Sequence, residues 1–315
     1  MKKRVLIFAI ILVICVISLT QIIYIFYPKK INVAKIKVEQ NEESITNGEY
    51  LAKSVAACID CHSPKNYNLT ENSIYNDSLF AGSNTEFTEQ FGFPGNYYAP
   101  NLTPYNLKTW SDGEILRAIT TGISKDGHAL FPVMPYHKYG KLEVKDIYDI
   151  IAYLRSLPEI KKDLPVSKSF FPMNLIIRTF PKEGNFELTR NSANSIERGK
   201  YFVTMAACAD CHTKTDKGKP IEGFEFAGGN EFESPMGNFI AANITPDTET
   251  GIGNWSRETF ITRFKQGSEG SFKNSSIMPW VSYSSMNKEE LSDIYDYLMS
   301  LKPVKNKIST NINNQ

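Results

Sequence analysis

The sequence predicts an all-α chain in which two similar helical domains follow one N-terminal transmembrane helix. Three observations lead to this prediction. Residues 5–27 carry no charge and are mostly apolar. The pattern C-x-x-C-H occurs twice, starting at Cys58 and Cys208, 150 residues apart. Short landmarks around each pattern recur in the same order, as a duplicated domain would produce.

Length and composition fit this organisation. At 315 residues the chain can form two domains of ordinary size. Hydrophobic residues make up 42% and charged residues 22%, which is typical of a globular protein. The formal net charge of +1 gives no indication of a nucleic-acid partner, and we expect none. Only one of the five cysteines lies outside the two patterns, which argues against a disulfide framework.

Each C-x-x-C-H pattern has the residues that attach a c-type haem. Two thiols at this spacing on a short helix can add to the two vinyl groups at one edge of the porphyrin. The histidine that follows then reaches the iron as its proximal ligand. The sequence therefore predicts two covalently bound haem c groups. The predicted attachment and proximal residues are Cys58, Cys61, His62, Cys208, Cys211 and His212.

Other uses of C-x-x-C fit less well. The two halves of a zinc ribbon are usually separated by about 12–20 residues, far fewer than here. A thioredoxin-like redox pair needs a βαβ setting, which nothing around Cys58 or Cys208 indicates. A structural disulfide within each pattern would leave the trailing histidine unexplained twice.

The N-terminus has the charge pattern of a membrane anchor. Three basic residues, Lys2, Lys3 and Arg4, precede 23 uncharged residues, and about 20 apolar residues are enough to cross a bilayer. The basic flank should stay in the cytoplasm. We therefore expect residues 1–28 to be an uncleaved single-pass anchor in the cytoplasmic membrane, with the haem domains at its periplasmic face. The alternative is a cleaved signal peptide, for which no small-x-small site is evident before Pro28.

The first predicted domain spans residues 45–158 and follows a polar tether at 29–44. An opening helix from Gly48 to Ala57 leads to the first motif. A closing helix from about Val144 to Leu157 has an apolar stripe at helical spacing and is stopped by Pro158. The intervening residues 63–104 are rich in Asn, Gly, Pro and Ser, which predicts a loop around the haem edge.

The second predicted domain, residues 195–303, repeats the first, and residues 304–315 are expected to be a disordered tail. Between the domains, the linker 159–194 contains the apolar patch Phe170–Leu175, which we expect to pack across both domains. The repeated landmarks are Gly48-Glu49-Tyr50 with Gly199-Lys200-Tyr201, Asn101–Pro104 with Asn243–Pro246, Trp110 with Trp255, and Met134-Pro135 with Met278-Pro279.

The repeat also suggests the sixth iron ligands. Met134 and Met278 are both followed by proline and precede the closing helix, 72 and 66 residues after the proximal histidine. They are predicted to be axial ligands. His128 and His137 flank Met134 and are the alternatives in the first domain, because imidazole is an equally competent ligand. The second domain has no histidine at either place.

Two further repeated features carry weaker predictions. Gly48 and Gly199 are expected to let two helices approach closely. The indole N–H groups of Trp110 and Trp255 could donate to haem propionates.

With these residues in view, the chain resembles the membrane-anchored, multihaem cytochrome c proteins that accompany periplasmic dehydrogenases of the alcohol, gluconate and sorbitol type. The resemblance covers about residues 45–303. It rests on the stretch 243–256, the Met-Pro-aromatic triplets, the closing Tyr-Leu-x-x-Leu helices and the Phe-Pro-x-Asn linker. The first domain departs from the pattern, because it lacks the Gly-Ile-Gly segment before Trp110. Many relatives carry three haem motifs, whereas this chain has two.

The resemblance implies two tandem class I-like cytochrome c domains and a role in electron transfer. Electrons would pass from a membrane or periplasmic dehydrogenase, or from a quinol-linked donor, to an oxidase or a small soluble cytochrome. No group in the chain has the setting of a substrate-activating base or nucleophile, so we expect a relay and not an enzyme. The alternative is a dihaem cytochrome c peroxidase with one open or His/His-ligated iron. A redox sensor or assembly factor would need a signalling domain, which the sequence lacks.

Overall fold

The computed structural model describes residues 2–66, 73–216, 218–234, 237–266 and 277–308. Helices dominate this part of the chain, as the sequence predicts. They are α1 (Lys2–Phe26), α2 (Glu42–Tyr50), α3 (Cys58–His62), α4 (Pro104–Leu107), α5 (Asp112–Thr121), α6 (Tyr136–Tyr139), α7 (Val144–Ser156), α8 (Met173–Ile176), α9 (Ser195–Met205), α10 (Cys208–His212), α11 (Arg257–Gln266), α12 (Trp280–Ser284) and α13 (Lys288–Met299).

The N-terminal helix α1 is exposed along almost its whole length. It has 25 residues, and none of them is buried. Its length and apolar composition are sufficient to cross a membrane. Signal sequences near an N-terminus have the same properties.

Short antiparallel strands are the part of the fold that the all-α prediction missed. They form the sheets β1–β2, β3–β4–β5, β6–β7 and β8–β9. Each has only two to five residues, which is too short for period-two patterning to reveal it. Their bounds are β1 Lys65–Asn66, β2 Ser73–Ile74, β3 Ser83–Phe87, β4 Gly95–Ala99, β5 Lys168–Ser169, β6 Thr215–Asp216, β7 Lys219–Pro220, β8 Glu231–Ser234 and β9 Gly237–Ile240.

The same helix pair occurs in each sequence repeat, here called the first repeat (45–158) and the second repeat (195–303). Helix α2 crosses α7 in the first, and α9 crosses α13 in the second. A Cβ atom on Gly48 would lie 1.8 Å from the Asp149 carbonyl oxygen, and one on Gly199 would lie 1.9 Å from that of Asp293. The prediction that these glycines permit close helix approach is confirmed.

Helix α2 begins inside the segment that was predicted to be a tether. The Asn41 side chain accepts a hydrogen bond from the Ser44 amide at 2.8 Å and so caps the helix, which has two glutamates in its first turn. Earlier in this segment, Val38 is buried and its amide donates to the Asp112 carboxylate at 2.8 Å. Residues of 29–44 therefore pack against α5 instead of forming a free connection.

The connection and the tail also make specific contacts. Strand β5 pairs with β4, and the Phe170 amide donates to the Pro94 carbonyl at 2.9 Å. The apolar patch Phe170–Leu175 thus contacts the first repeat and α1, and its expected packing across both repeats stays a prediction. The predicted disordered tail is ordered at its start, because Asn243 donates to the Val304 carbonyl and Asn306 donates to that of Ala227. Residues 309–315 lie outside the described residues.

The two repeats contact each other through equivalent residues. The Tyr50 hydroxyl donates to Glu290, and the Tyr201 hydroxyl donates to Asp146 at 2.6 Å. Tyr50 and Tyr201 hold the same place in their repeats, and so do Asp146 and Glu290 when the methionines are aligned. The interface is therefore approximately two-fold symmetric.

The two motif helices take part in the same symmetric interface. Asp210 of α10 forms an ion pair with Lys138 at 3.0 Å, and Asp60 of α3 accepts a hydrogen bond from Ser282. Lys138 and Ser282 each lie four residues after the predicted methionine ligand. Each C-x-x-C-H helix thus contacts the helix that follows the methionine of the other repeat.

Candidate haem-binding sites

Both motif helices start after a residue in the left-handed conformation. Ala57 has φ 48° and Ala207 has φ 52°. In the first repeat, α2 continues as one π turn over Leu51–Val55, and Ala57 then redirects the chain into α3. A left-handed alanine costs about 1–2 kcal/mol, so its occurrence at both places indicates a geometry that the surrounding structure holds in place.

The two motif histidines are oriented identically by the backbone. The Nδ1 atom of His62 lies 2.8 Å from the Pro100 carbonyl oxygen, and that of His212 lies 2.8 Å from the Ala242 oxygen. A carbonyl only accepts, so Nδ1 carries the proton in each ring. This tautomer leaves the Nε2 lone pair available to a metal, the arrangement typical of metal-ligating histidines.

Burial sets the protonation state of these side chains. It lowers the pKa of both His62 and His212, so the neutral imidazole needed by a metal persists. It raises the pKa of the Cys58 and Cys208 thiols to about 12 and that of Cys211 to about 11. A thiol–disulfide exchange site has a lowered thiol pKa, and no disulfide joins any of the five cysteines. The thioredoxin-like alternative is therefore disfavoured.

A repeated asparagine holds the loop that orients each histidine. The Asn101 side-chain oxygen accepts hydrogen bonds from the Thr103 amide at 2.9 Å and hydroxyl at 2.7 Å, while its NH2 group donates to the Ile160 carbonyl at 2.8 Å. Asn243 makes the same bonds to Thr245 and Val304. The recurring Asn-x-Thr-Pro landmark thus ties the histidine-bonding carbonyl to the chain after the closing helix.

A second repeated landmark, Phe-Ala-Gly, was missed in the sequence analysis although it is visible at residues 80–82 and 226–228. Both phenylalanines are buried with φ near 60°, and each ring meets a closing-helix tyrosine edge to face, with centroids 5.6 and 6.0 Å apart. Both glycine amides donate to the carbonyl of the motif histidine at 2.7 Å. The landmark fixes the backbone on the C-terminal side of each motif.

The predicted methionine ligands occupy equivalent turns. Met134 and Met278 are partly buried against the core, and their carbonyl oxygens accept from the Tyr136 and Trp280 amides at 2.8 and 2.7 Å. Tyr139 and Tyr283 lie five residues after these methionines, in the helix that follows each of them. These hydroxyls donate to the carbonyl oxygens of Ala56 and Ala206, at 3.4 and 2.9 Å respectively.

These two tyrosines, Tyr139 and Tyr283, connect the methionine segments to the motifs. Both are buried, and burial next to the motif cysteines raises the pKa of each hydroxyl well above its usual value. The sequence analysis did not identify them, although their identical offset from the predicted ligands was a usable signal. They place the chain after each methionine beside the thiols of the same repeat.

His128 and His137, the alternatives to Met134 as iron ligand, lie in surroundings different from those of the motif histidines. His128 lies in a surface turn with its ring 58% exposed, and its Nδ1 atom is 2.5 Å from an Asp126 carboxylate oxygen. His137 lies on α6, where burial lowers its pKa, and the charge of Asp210 opposes that shift. Methionine ligation in the first repeat stays a prediction.

The residues present fit a haem c in each repeat. Each site combines two thiols, a neutral histidine with its Nε2 lone pair available, and a methionine in an adjacent turn. In addition, the Tyr136 hydroxyl and the Trp280 indole N–H, at equivalent positions, are buried without a hydrogen-bond partner within the described part of the chain. A propionate oxygen is an acceptor that would satisfy such donors. The predicted propionate contacts of Trp110 and Trp255 stay predictions.

Comparison with known proteins supports this chemistry. A family model described as cytochrome c matches residues 196–302. This region is a cytochrome c domain. A protein named "Alcohol dehydrogenase (quinone), cytochrome c subunit" from Gluconobacter oxydans is 25% identical over 247 residues, which cover 73% of this chain and 48% of that protein. The "Fructose dehydrogenase cytochrome subunit" of Gluconobacter japonicus is 29% identical over 241 residues, covering 71% and 45%.

A third relative is named "Diheme cytochrome c-type" and comes from Cereibacter sphaeroides. It is 27% identical over 162 residues, covering 48% of this chain and 54% of that protein. The chain spans about half the length of the curated relatives it matches. Over most of its length the chain is thus similar to cytochrome subunits of dehydrogenases, and residues 196–302 match cytochrome c.

Proposed function

We propose that this chain carries two haem c groups, one in each of two tandem cytochrome c domains at residues 45–158 and 195–303. It relays electrons from a membrane or periplasmic dehydrogenase, or a quinol-linked donor, to an oxidase or a small cytochrome. The observation that carries the proposal is the duplicated histidine geometry, in which His62 and His212 donate from Nδ1 to a backbone carbonyl at 2.8 Å in both repeats.

The case for a haem in the first repeat rests on its likeness to the second. The family model matches only residues 196–302. Yet the first repeat has the same features with matching hydrogen bonds. These are the asparagine side chain that bonds to the following threonine and to the chain after the closing helix, the Phe-Ala-Gly turn, the left-handed residue before the motif and the tyrosine after the methionine. So many equivalent contacts around an equivalent C-x-x-C-H motif support the same cofactor in both places.

The proposed role of each cysteine, histidine and methionine at the two sites follows from its chemistry. Bound haem iron supplies one-electron oxidation and reduction. Cys58, Cys61, Cys208 and Cys211 would hold the porphyrin through thioethers, and His62 and His212 would bind the iron. Met134 and Met278 would bind it as well, and methionine in place of a second histidine raises the reduction potential. An iron held by two protein side chains would leave no place for a substrate, so the chain would transfer electrons without catalysing a further reaction.

The anchor and the partners complete the proposal. Helix α1 holds the chain in the cytoplasmic membrane as a single-pass anchor, with residues 45–303 at the periplasmic face, where covalent haem attachment takes place. The dehydrogenase-associated relatives support a dehydrogenase as electron donor.

Absorption and EPR spectra of the purified ferric holoprotein test this function. With His/Met ligation at both irons, we expect low-spin ferric signals only and a methionine–iron charge-transfer band with the intensity of two such ligands. A high-spin ferric haem in the resting protein would contradict the relay and favour the peroxidase alternative. Reductive titration should take up two electrons per chain.

A further inference from the structure

The connection between the repeats carries unusually exposed apolar side chains. Among large hydrophobic residues outside α1 in the described ranges, the two most exposed are Val166, at 89%, and Phe171, at 79%. Ile176, five residues after Phe171, is 40% exposed. A phenylalanine that leaves most of its ring in water forgoes about 2 kcal/mol of burial free energy, so a ring held in this position suggests a second, apolar environment.

The segment that carries these side chains is held by backbone hydrogen bonds to the first repeat. Strand β5 pairs with β4 just before it, and the Phe170 amide donates to the Pro94 carbonyl. Ile177 is buried at 6% exposure, although its neighbour Ile176 faces outwards. The outward apolar face is therefore part of an ordered structure.

This same segment contacts the outer end of α1. A terminal nitrogen of Arg178 donates to the Tyr24 carbonyl at 3.2 Å, and the guanidinium lies over the Tyr24 ring, 4.9 Å from its centroid. Helix α8 also contacts α1. The apolar surface of the connection is thus continuous with the last turns of the candidate membrane helix.

The length of α1 indicates the depth in the membrane at which the contact between Arg178 and Tyr24 lies. Its 25 residues extend about 37 Å at 1.5 Å per residue, compared with a hydrocarbon thickness of about 30 Å. The last turn with Tyr24, and Tyr27 just after it, therefore fall in the interface, where tyrosine is enriched. The exposed Lys29 and Lys30 follow immediately, in the region of the lipid headgroups.

We propose that Phe171 and Ile176 insert into the outer-leaflet interface of the phospholipid bilayer and form a second membrane contact beside α1. The inference rests on the proposed anchoring of α1. Two contact points would hold the haem domains in one orientation on the membrane, whereas a single helix followed by a flexible connection would not. The adjacent lysines favour a surface that contains anionic phospholipid.

Site-directed spin labelling of the full-length holoprotein tests this contact. The protein is reconstituted into vesicles of phosphatidylethanolamine and phosphatidylglycerol. A nitroxide on Phe171→Cys, and separately on Ile176→Cys, is introduced in a Cys15→Ser background, because the other four cysteines are occupied by haem. Val281→Cys on α12, whose side chain is 50% exposed, is the matched control. In a separate sample without these substitutions, a nitroxide on the native Cys15, in the middle of α1, reports whether α1 lies in the membrane.

We expect labels at 171 and 176 to collide with oxygen, which concentrates in lipid, more than with a water-soluble nickel complex, and the label at 281 to show the reverse. Labels at 171 and 176 with the accessibility of the control would overturn the second contact, and the anchor would stand if the Cys15 label remained in lipid. A Cys15 label in water would instead refute the anchor. Labels protected from both reagents would indicate a protein contact, such as a second copy, and would also overturn the lipid proposal.

Discussion

Replacing Gly48 by alanine should force apart helices α2 and α7, which pack against each other in the first repeat. The added Cβ would lie 1.8 Å from the Asp149 carbonyl oxygen, and ordinary contact begins at 3.4 Å, so α2 and α7 must separate by about 1.6 Å. Alanine gains about 1 kcal/mol in helix propensity. Overpacking against a backbone atom that cannot rotate away costs about 3 kcal/mol or more. We expect a net loss of about 2 kcal/mol.

Thermal unfolding of the holoprotein, followed by far-ultraviolet circular dichroism, measures this loss. At about 2–4 °C per kcal/mol, the midpoint should fall by about 4–8 °C. Thr46→Ala, an exposed change on the same helix, is the control and should leave the midpoint unchanged or slightly higher. Gly199→Ala should behave like Gly48→Ala. A midpoint for either glycine variant equal to that of the wild type would refute the close approach of the backbones.

Three further predictions concern the ligands, the interface and acid stability. Met278→Ala should halve the methionine–iron charge-transfer intensity while both haems stay attached, whereas Met173→Ala, at a methionine not predicted to bind iron, should leave the spectrum unchanged. Tyr201→Phe should lower the free energy of unfolding in a denaturant titration by about 1–3 kcal/mol, because the buried Asp146 carboxyl group loses its hydrogen bond from the other repeat. The hydroxyl and then the amide of Thr250 donate to Asp247 and lower its pKa, so Asp247→Asn should destabilise the protein at neutral pH.

The outcomes that would contradict these predictions are equally specific. Unchanged charge-transfer intensity would remove Met278 from the iron. Equal stability of Tyr201→Phe and the wild type would mean that the symmetric hydroxyl–carboxylate bonds do not couple the repeats. Because the folded pKa of Asp247 lies below its unfolded value, its contribution is complete at neutral pH and is lost as the pH falls through the folded pKa. A deficit of Asp247→Asn that persisted in acid would therefore contradict the assignment.

Features that depend on local chemistry were predictable from the sequence. The C-x-x-C-H spacing predicts a covalent haem c, and the match of residues 196–302 to cytochrome c supports this prediction. An apolar stripe at helical spacing predicted closing helices at Val144–Leu157 and Lys288–Leu301, within two residues of α7 (Val144–Ser156) and α13 (Lys288–Met299). The glycine prediction at Gly48 and Gly199 succeeded because the repeat supplied the same residue in both helix pairs.

Features that depend on distant partners were not predictable. Nothing in the sequence around Tyr201 identifies Asp146, 55 residues away, as the acceptor of its hydroxyl, and the symmetric interface became visible only in three dimensions. The contact of Arg178 with the end of α1 likewise joins segments 154 residues apart. The ordered start of the tail follows from the need of the buried Asn243 amide for an acceptor, which the Val304 carbonyl provides.

The most direct test of the central claim is the intact mass of the polypeptide under denaturing conditions, because only covalently bound haem survives them. Expression should take place in a host with a c-type haem attachment system. The mass is expected to exceed that of the polypeptide by two haem groups, with one lost in each of the double variants Cys58→Ala/Cys61→Ala and Cys208→Ala/Cys211→Ala. A wild-type chain that carries a single haem, or none, would contradict the two-haem relay.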